Sequence, residues 1–495
     1  MFAAVAFAAP RKPNIVFIYT DDHSAAAVGC YGSRLTKTPQ LDRLAAEGLV
    51  FENAFCTNAI CAPARAVVLT GRHSHQNGVR DNRARFDGAQ ITFPKLLRGA
   101  GYQTAVIGKW HLKSDPTGFD HWEILPGQGQ YYGPVFRTAQ GRRRIEGYCT
   151  DVTTDLALAW LEKKRAADKP FLLMLQHKAP HRTWMPGPAH LDTFANQTIP
   201  EPATLFDDWK GRSRAAFAQE MTIARHMYLA YDLQVPPLPG AELKGPDRWA
   251  AGLLGRMQPQ MRAAWNKAFG PRNEAFRKAR LKGDALVRWK YQRYIKNYLR
   301  CIASVDDNVG RVLAWLKAND LEKDTIVVYT SDQGFFLGEH GWYDKRFMYE
   351  PALRFPLIVR WPAAIRPGTR TKALVQNLDF APTLLEAAGV KPPATMQGGS
   401  LMPLLRDGNP HGWRESIYYQ YYEKGVHAVA PHYGVRTDRH KLMYFPGLDA
   451  WELYDLQADP DEVKNLAADP AHAELRARLE AELRRLRKHY GVPGS

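Results

Sequence analysis

Four segments of consecutive, mostly apolar residues constrain most strongly how this chain folds. They cover residues 14–20, 104–107, 171–175 and 325–329. Continuous rather than alternating apolar residues indicate strands that are covered on both faces, as in a parallel sheet. Helical patterns separate the segments, at 38–48, 93–101, 153–164 and 291–316. The repeated strand–helix alternation predicts an α/β fold with a large, mostly parallel sheet sandwiched by helices.

Two parts of the chain depart from this alternation. Residues from about 198 to 289 are rich in Arg, Ala, Trp and Met, and we interpret them as a mostly helical insertion. After residue 395, short aromatic segments alternate with turn residues, and a charged helical pattern follows at about 471–490. This texture predicts a smaller C-terminal α+β domain with an antiparallel sheet. Its strands are expected at 416–422, 432–437, 441–445 and 452–455.

Each of the four predicted core strands is followed by charged or imidazole side chains. These are Asp21 and Asp22, Lys109 and His111, Lys178 and His181, and Asp332 with the polar Gln333. In open α/β sheets, ligands bind at the carboxyl ends of the strands. Because all four strands carry such residues there, the pattern predicts one site at this edge of the sheet.

The oxygen-bearing residues of this set indicate a metal site. Asp21, Asp22 and Asp332 would supply three carboxylates, and Gln333 one amide oxygen. An all-oxygen set suits a hard divalent cation, calcium before magnesium. Either pair alone is more often a helix cap or part of a turn. The hypothesis therefore depends on the two strand ends lying together.

A second feature is the segment Cys61-Ala-Pro63-Ala-Arg65, which continues to Thr-Gly-Arg at 70–72. Proline is tolerated in the first turn of a helix, so the segment predicts the start of a short buried helix. Cys61 and Arg65 are four residues apart and share one helix face, where they are placed to handle an anion. A lone cysteine in such a helix is more often a small core residue.

The complete pattern, Cys-x-Pro-x-Arg followed at this spacing by Thr-Gly-Arg, resembles the signature of type I sulfatases, and further motifs extend the resemblance over almost the whole chain. It implies an alkaline-phosphatase-like fold, with a catalytic sulfatase domain at 13–395 that contains the insertion, and a C-terminal subdomain at 396–495. It also implies that a formylglycine-generating enzyme oxidises Cys61 to formylglycine, an aldehyde that exists as its hydrate.

The same resemblance implies one bound calcium ion that also contacts the residue at position 61. The metal ligands would be Asp21, Asp22, Cys61 as formylglycine, Asp332 and Gln333. The last ligand is commonly Asn in the family, so Gln333 departs from the pattern by a longer side chain.

The resemblance further assigns the basic residues. Its Lys-x-His and Lys-x-Pro-His motifs and a third basic position correspond to Lys109 and His111, to Lys178 and His181, and to Lys345, with Arg346 as a rival for the last role. One hydroxyl of the hydrated aldehyde would attack sulfur, and His181 or Lys345 would protonate the leaving alcohol. His111 would deprotonate the second hydroxyl so that sulfate is expelled. Arg65 would hold the hydrate.

The substrate is suggested by two stretches, 331–350 and 178–184, which look most like bacterial sulfatases that degrade glycosaminoglycans, and among these like N-acetylglucosamine-6-sulfatases. The hypothesis is therefore an exo-acting 6-O-sulfatase of heparan-type sugars. An arylsulfatase or a sulfatase of another sulfated glycan is the runner-up. Lys178, and His427, His432 and Arg436 from the smaller domain, are expected to bind the sugar.

Two other functions remain open at this point. A phosphomonoester or phosphodiester hydrolase would share the fold, although such enzymes usually bind zinc or manganese through additional histidines. A non-catalytic, polyanion-binding relative would fit the formal net charge of +17 and the basic cluster at 142–144. That cluster is more often a solvated loop than a binding surface. No nucleic-acid partner is expected.

The opening residues suggest export. Residues 1–12 look like the remnant of a signal peptide, since 1–10 are small, apolar and rich in alanine, so we expect a periplasmic or secreted protein. No apolar run elsewhere is long enough to span a membrane. Five scattered cysteines do not form a disulfide or zinc pattern, and their pairing cannot be deduced.

Overall fold

We describe the protein from a computed structural model, which covers residues 12–238, 240–243, 245–407 and 410–494. The expected signal-peptide remnant lies outside these residues except for Lys12. The strands are β1 (Asn14–Thr20), β2 (Leu49–Phe51), β3 (Ala54–Phe55), β4 (Gln103–Lys109), β5 (His121–Leu125), β6 (Val135–Thr138), β7 (Gly141–Arg144), β8 (Phe171–Gln176), β9 (Thr325–Ser331), β10 (Phe336–Leu337), β11 (Tyr343–Asp344), β12 (Leu357–Arg360), β13 (Thr369–Thr371), β14 (Val375–Gln376), β15 (Ser416–Tyr421), β16 (His432–Thr437), β17 (His440–Phe445) and β18 (Ala450–Asp455).

The main sheet contains ten of the described strands, in the order β13-β2-β12-β9-β1-β8-β4-β5-β6-β7. The four strands predicted from the apolar runs, β9, β1, β8 and β4, are neighbours at its centre and run parallel, as does β5 beside them. Both margins contain antiparallel pairs, β12 with β9 and β2 on one side and β5-β6-β7 on the other. The sheet is therefore parallel at its centre, as predicted, and mixed as a whole.

The α-helices of the described chain either cover the two faces of this sheet or pack on the smaller C-terminal part. They are α1 (Pro39–Ala46), α2 (Cys61–Thr70), α3 (Ser74–Asn77), α4 (Phe93–Gly99), α5 (Cys149–Lys163), α6 (Arg214–Ala218), α7 (Ile223–His226), α8 (Asp247–Leu254), α9 (Pro259–Ala279), α10 (Gly283–Ala318), α11 (Glu350–Leu353), α12 (Phe380–Ala387), α13 (Met402–Asp407) and α14 (Ala473–His489).

The core consists of two layers that share the central strands. Along β1, Ile15 and Phe17 pack with α2, α4 and α12, whereas Val16 and Ile18 pack with α1, α5 and α10 on the opposite face. Successive side chains of a strand point to opposite faces, so an unbroken apolar run places apolar side chains in both layers. Burial on both faces is what the sequence predicts for these strands.

The C-terminal part forms the predicted antiparallel sheet, in the order β15-β16-β17-β18. Leu479, Leu483 and Leu486 of α14 pack against one face of it. The other face joins the main core through aromatic side chains such as Phe445 and Tyr454. The smaller sheet is therefore packed directly on the larger domain.

Two predictions for the irregular regions need correction. The insertion is helical mainly in its second half, in α8 and α9, whereas residues 198–246 form turns with only the short helices α6 and α7. The basic cluster at 142–144 belongs to β7, the exposed edge strand of the main sheet, and not to a loop. Among the described residues, no helix is long and apolar enough to cross a membrane.

Candidate active site

The carboxyl ends of the central strands meet at one buried cluster of charge. β1 and β9 run parallel with Thr20 opposite Ser331, so the residues that follow them lie side by side. The backbone N–H of Asp22 donates to Oδ1 of Asp332 over 3.1 Å. Asp21, Asp22 and Asp332 are all fully buried, and each offers a carboxylate oxygen within 4.8 Å of the others.

Arg65 connects helix α2 to these strand ends. Its NH2 group donates to Oδ2 of Asp332 over 3.0 Å, and its NH1 group donates to the carbonyl of Lys109 over 2.6 Å and to Oε1 of Gln176 over 3.1 Å. These three acceptors belong to the ends of β9, β4 and β8. Since a guanidinium presents its donors in a fixed fork, Arg65 fixes where the N-terminus of α2 lies relative to the sheet.

Cys61 is the first residue of α2 and is fully buried. Burial raises the pKa of its thiol to about 12, because the nearby carboxylates Asp332 and Asp22 add to the effect and Lys345 only partly offsets it. An unmodified thiol here stays protonated and is a weak nucleophile. Sγ of Cys61 and one side-chain ligand atom each of Asp21 and His181 lie within 4.8 Å of one another.

Two lysines form ion pairs with the acidic cluster, each with a different aspartate. The ammonium of Lys345 donates to Oδ2 of Asp22 over 2.7 Å, and that of Lys109 forms an ion pair with Asp21 and donates to Oε1 of Gln128 over 2.5 Å. Burial opposes the charge of Lys345, but Asp22 and Cys61 outweigh it and raise its pKa. Burial raises the pKa of Asp22 to about 6 against the effect of Lys345.

His181 reaches the cluster from the loop after β8. Its Nδ1 lies 2.7 Å from the carbonyl oxygen of Arg182, which fixes Nδ1 as the protonated nitrogen of a neutral ring. Its Nε2 then faces Oδ2 of Asp22 at 3.7 Å. Burial and the charges of Lys109 and Lys345 hold the pKa of His181 well below its ordinary value. Nε2 is therefore the atom through which His181 can exchange a proton with a ligand.

His111 and Lys178 lie at the ends of their strands, as expected. The buried Nδ1 of His111 has no hydrogen-bond partner among the described residues, and burial, with Lys109 and Arg65 nearby, lowers its pKa. Lys178 donates to the carbonyl of Arg182 over 3.2 Å, and its ammonium lies 4.7 Å from the centre of the Tyr131 ring. Burial lowers the pKa of Lys178 to about 8.

Four residues around the cluster have positive φ, a left-handed backbone conformation that residues other than glycine rarely adopt. They are Asp22 (φ 68°), His111 (φ 59°), Asp344 (φ 78°) and Arg346 (φ 93°). Such conformations are costly and persist only where the surrounding structure imposes them. Other described residues also have positive φ, and these four are among those that lie close to the charge cluster.

The donor set fits a hard divalent cation. Within the described chain, Oε1 of Gln333 is buried without a hydrogen-bond donor, and Oδ1 of Asp21 has only the guanidinium of Arg65 nearby, at 4.0 Å, because Lys109 pairs with Oδ2. The side-chain N–H of Gln333 donates a hydrogen bond to Oδ1 of Asp22. The side chain therefore reaches the acidic cluster, although it is longer than the Asn that is common at this position in the family. Unpaired buried oxygens beside mutually repelling carboxylates are what an oxygen-coordinated cation would satisfy.

A cavity of about 260 Å³ opens onto this cluster. Of the predicted residues, Lys178, His181, Lys345 and His427 line it. His427 comes from the C-terminal part, with Nε2 at 3.5 Å from Oδ2 of Asp344. A roomier cavity of about 810 Å³ lies against α14, but lining residues such as Arg478 and Glu415 are exposed, and the buried reactive groups are at the smaller one.

Two predicted sugar-binding residues do not reach this cavity. His432 is buried between the rings of Phe347 and Phe445, and its Nε2 accepts the backbone N–H of Met348 over 3.1 Å. Arg436 forms an ion pair with Glu350 at 3.2 Å. Both residues attach the smaller sheet to the main domain, so the prediction that they read the substrate is wrong.

Sequence reasoning also missed residues that line the cavity. Asp344, Gln128 and Asn82 contribute to it. Asp344 stands next to Lys345 in the sequence and could have been noticed as a charged neighbour, whereas Gln128 and Asn82 lie in loops without a motif. Arg346 forms ion pairs with Asp344, at 3.2 Å, and with Glu423, so these two carboxylates balance its charge. Of the two neighbouring basic residues, Lys345 is the one that contacts Asp22.

Taken together, a sheet with helices on both faces and a buried set of carboxylates and cations at its strand ends fits an enzyme of α/β fold. Comparison with known proteins narrows this class. A family model described as sulfatase matches residues 13–390, and one described as N-sulphoglucosamine sulphohydrolase, C-terminal, matches residues 338–489. The chain belongs to the sulfatase family and is a sulfuric ester hydrolase.

Individual relatives cover nearly the whole chain. The chain is 48% identical to an N-acetylglucosamine-6-O-sulfatase of Bacteroides thetaiotaomicron, over 97% of this chain and 87% of the relative. It is 27% identical to the human N-acetylglucosamine-6-sulfatase, over 93% of this chain and 82% of the relative. A solved structure of a protein with its substrate D-glucosamine-2-N,6-O-disulfate matches with a TM-score of 0.95 and 47% identity, over 98% of this chain and 99% of that one.

We predict that Arg65→Gln lowers the free energy of unfolding by about 3–5 kcal/mol, because removing one partner leaves Asp332 and other buried acceptors unpaired. Arg72→Gln, at the other end of the same motif, is the control: Arg72 is partly exposed and contacts Gln76, so a change within about 0.5 kcal/mol is expected. Urea unfolding measures both. Equal midpoints for the two variants would contradict the role of Arg65 as the connection between α2 and the sheet.

Proposed function

We propose that the protein removes the 6-O-sulfate from N-acetylglucosamine residues of heparan-type glycosaminoglycans. The observation that carries this proposal is the similarity, over almost the whole chain, to a relative described as an N-acetylglucosamine-6-O-sulfatase. A solved homologue bound to a glucosamine carrying a 6-O-sulfate supports the same substrate class. A sulfatase acting on another sulfated glycan or on aryl sulfates is the alternative.

We also propose that Cys61 is converted to formylglycine by a formylglycine-generating enzyme, and that Asp21, Asp22, Asp332 and Gln333 hold one calcium ion. Formylglycine would supply a hydrated aldehyde as nucleophile, and calcium would offset the negative charge of the sulfate ester. The high pKa of the Cys61 thiol supports the conversion, since the unmodified residue is a weak nucleophile. Oδ1 of Asp21 and Oε1 of Gln333, which no hydrogen-bond donor among the described residues satisfies, support the metal.

The remaining residues would divide the work by charge. Lys345 keeps a buried positive charge beside Asp22, and Lys109, whose pKa burial lowers, lies beside Asp21. A sulfate ester bound next to these two side chains would be oriented by them and stabilised electrostatically. Arg65, held by three acceptors, would position the residue at 61. Lys178 and His427 line the cavity mouth and would contact the sugar.

Proton transfer would fall to the two histidines. Nδ1 of His181 is held by the Arg182 carbonyl and His181 lines the cavity, so Nε2 would first take up a proton and His181 would then pass that proton to the leaving alcohol. His111, kept neutral by burial and with Nδ1 unpaired among the described residues, would accept a proton at that atom.

Export to a periplasm or to the outside of the cell is part of the proposal. Its support is the apolar, alanine-rich opening of the sequence. Heparan-type chains are extracellular polymers, so an exported enzyme would meet its substrate.

A panel of sulfated sugars tests the substrate. We expect faster desulfation of 6-O-sulfated N-acetylglucosamine, alone or at the non-reducing end of heparin oligosaccharides, than of 4-O-sulfated galactosamine or sulfated algal sugars. Faster turnover of either competitor would overturn the proposed substrate and leave the sulfatase chemistry intact. An aryl phosphate serves as control, because preferential phosphate hydrolysis would favour a phosphoesterase.

Metal removal tests the cation site. Calcium added to chelator-treated protein should raise the melting temperature, since a ligand at 100 times its Kd stabilises the folded state by about 2.7 kcal/mol. Asp332→Asn keeps the shape of the side chain but removes a ligand charge, so both this shift and the activity should be lost. Asp151→Asn is the matched control, because Asp151 contacts Asn308 on α10, outside the cluster.

One outcome of this experiment would contradict the proposed cation site. If Asp332→Asn retained the calcium-dependent shift and turned over substrate like the unaltered protein, the ends of β1 and β9 would not form one cation site.

A further inference from the structure

A basic cleft lies where the end of the insertion meets the following turns of α10, between α9 and α10. It is a cavity of about 280 Å³ whose cationic and aromatic lining comprises Arg272, Trp289, Arg293, Lys296 and Arg300. It shares no lining residue with the cavity at the strand ends. We call it the insertion cleft.

The spacing of these residues along α10 explains why they converge. Trp289, Arg293, Lys296 and Arg300 are separated by four, three and four positions and so lie on one face of the helix. The other face carries residues such as Tyr298, which is fully buried and donates to the carbonyl of Asp22 over 2.7 Å. One side of α10 thus supports the catalytic strand end, while the other presents cations to the insertion cleft.

The positive charge of the insertion cleft is poorly compensated. Among the described residues, no acidic side chain lines the cavity. Arg272 contacts Asp192, whose side chain is 79% exposed. Arg300, which is 2% exposed, is held by neutral acceptors, the carbonyl of Thr193 at 2.7 Å and Oδ1 of Asn297 at 2.9 Å. Solvent-screened pairing with Asp192 therefore leaves an excess of positive charge.

Arg293 shows this excess most clearly. It is 7% exposed; its NH2 group donates to Oδ1 of Asn273 over 2.9 Å, and its NH1 group is buried with no hydrogen-bond partner in the described part of the chain. The guanidinium also lies 5.3 Å from the ring centres of Phe269 and Trp289, contacts that carry no negative charge. Burial, with Arg300 and Arg272 nearby, lowers its pKa to about 9. A buried guanidinium without a counter-ion is costly, so an acceptor oxygen supplied by a ligand would stabilise it.

We propose that the insertion cleft binds a sulfate group, either carried on a sugar chain or as inorganic sulfate, at a site separate from the catalytic one. Three guanidinium groups and one ammonium group around a small cavity match the several acceptor oxygens of a tetrahedral oxyanion. Trp289, stacked on Phe276 with ring centres 3.7 Å apart, gives the site a rigid wall. The proposal gives the insertion a binding function and does not depend on which sulfate ester the catalytic site hydrolyses.

Isothermal titration in a Cys61→Ala background tests this proposal without turnover. The titrants are inorganic sulfate and a heparin-derived oligosaccharide, at matched ionic strength. We expect each titrant to bind the unaltered background at two sites. In the Arg272→Gln/Lys296→Gln variant, one of the two sites should be lost or should bind at least about tenfold more weakly, since two charge-assisted hydrogen bonds are removed. Lys267→Gln, an exposed position on α9, is the control and should change nothing.

The two titrants distinguish the sources of the sulfate group. A loss seen with the oligosaccharide alone identifies a sugar-borne group, and a loss seen with both identifies any sulfate ion; each result supports the insertion cleft as a site. Unchanged stoichiometry and affinity for both titrants in the double variant would overturn the proposal.

Stability provides a second readout that a merely structural cluster would not reproduce. Without sulfate, the double variant should melt at or above the temperature of the unaltered protein, because repulsion among the cations is relieved. Adding sulfate in place of chloride should then raise the melting temperature of the unaltered protein more than that of the variant. A variant that melts lower and shows an equal sulfate effect would also contradict the proposal.

Discussion

The active site of this protein depends on three buried carboxylates that remain close together although their charges repel one another. Asp21, Asp22 and Asp332 lie within a few ångströms of one another where water cannot screen them. Two lysines and the guanidinium of Arg65 contact them, and burial raises the pKa of Asp22 to about 6 against the effect of Lys345. A concentration of negative charge with adjacent cations is suited to capture a divalent cation together with an anionic ester.

The fold brings this charge together through its topology. Parallel strands β1, β4, β8 and β9 end at the same edge, and α2 is attached there by one side chain with acceptors on three strands. The long helix α10 supports the same edge from behind through Tyr298. Because so many elements contribute, the site can be assembled only in the complete domain, and residues in left-handed conformations such as Asp22 and Arg346 can be held there.

The sequence sufficed for the centre of the fold and not for its margins. Continuous apolar runs identify strands buried on both faces, and the residues after them are found together because the topology of parallel strands requires it. The antiparallel margins could not be deduced in full, since short strands such as β2 and β6 lack a distinctive pattern. His432 and Arg436 show a similar difficulty. A polar residue on a short strand can face a binding site or join two domains, and the sequence does not tell which of the two it does. The turns of 198–246 have no periodicity to read.

The most direct test of the central claim concerns the residue at position 61. Protein should be prepared in hosts with and without a formylglycine-generating enzyme, and the peptide containing Cys61 measured by mass spectrometry alongside sulfatase activity. The account predicts that activity rises in proportion to the fraction of peptide carrying the aldehyde. Fully active protein in which position 61 is only the unmodified thiol would contradict it.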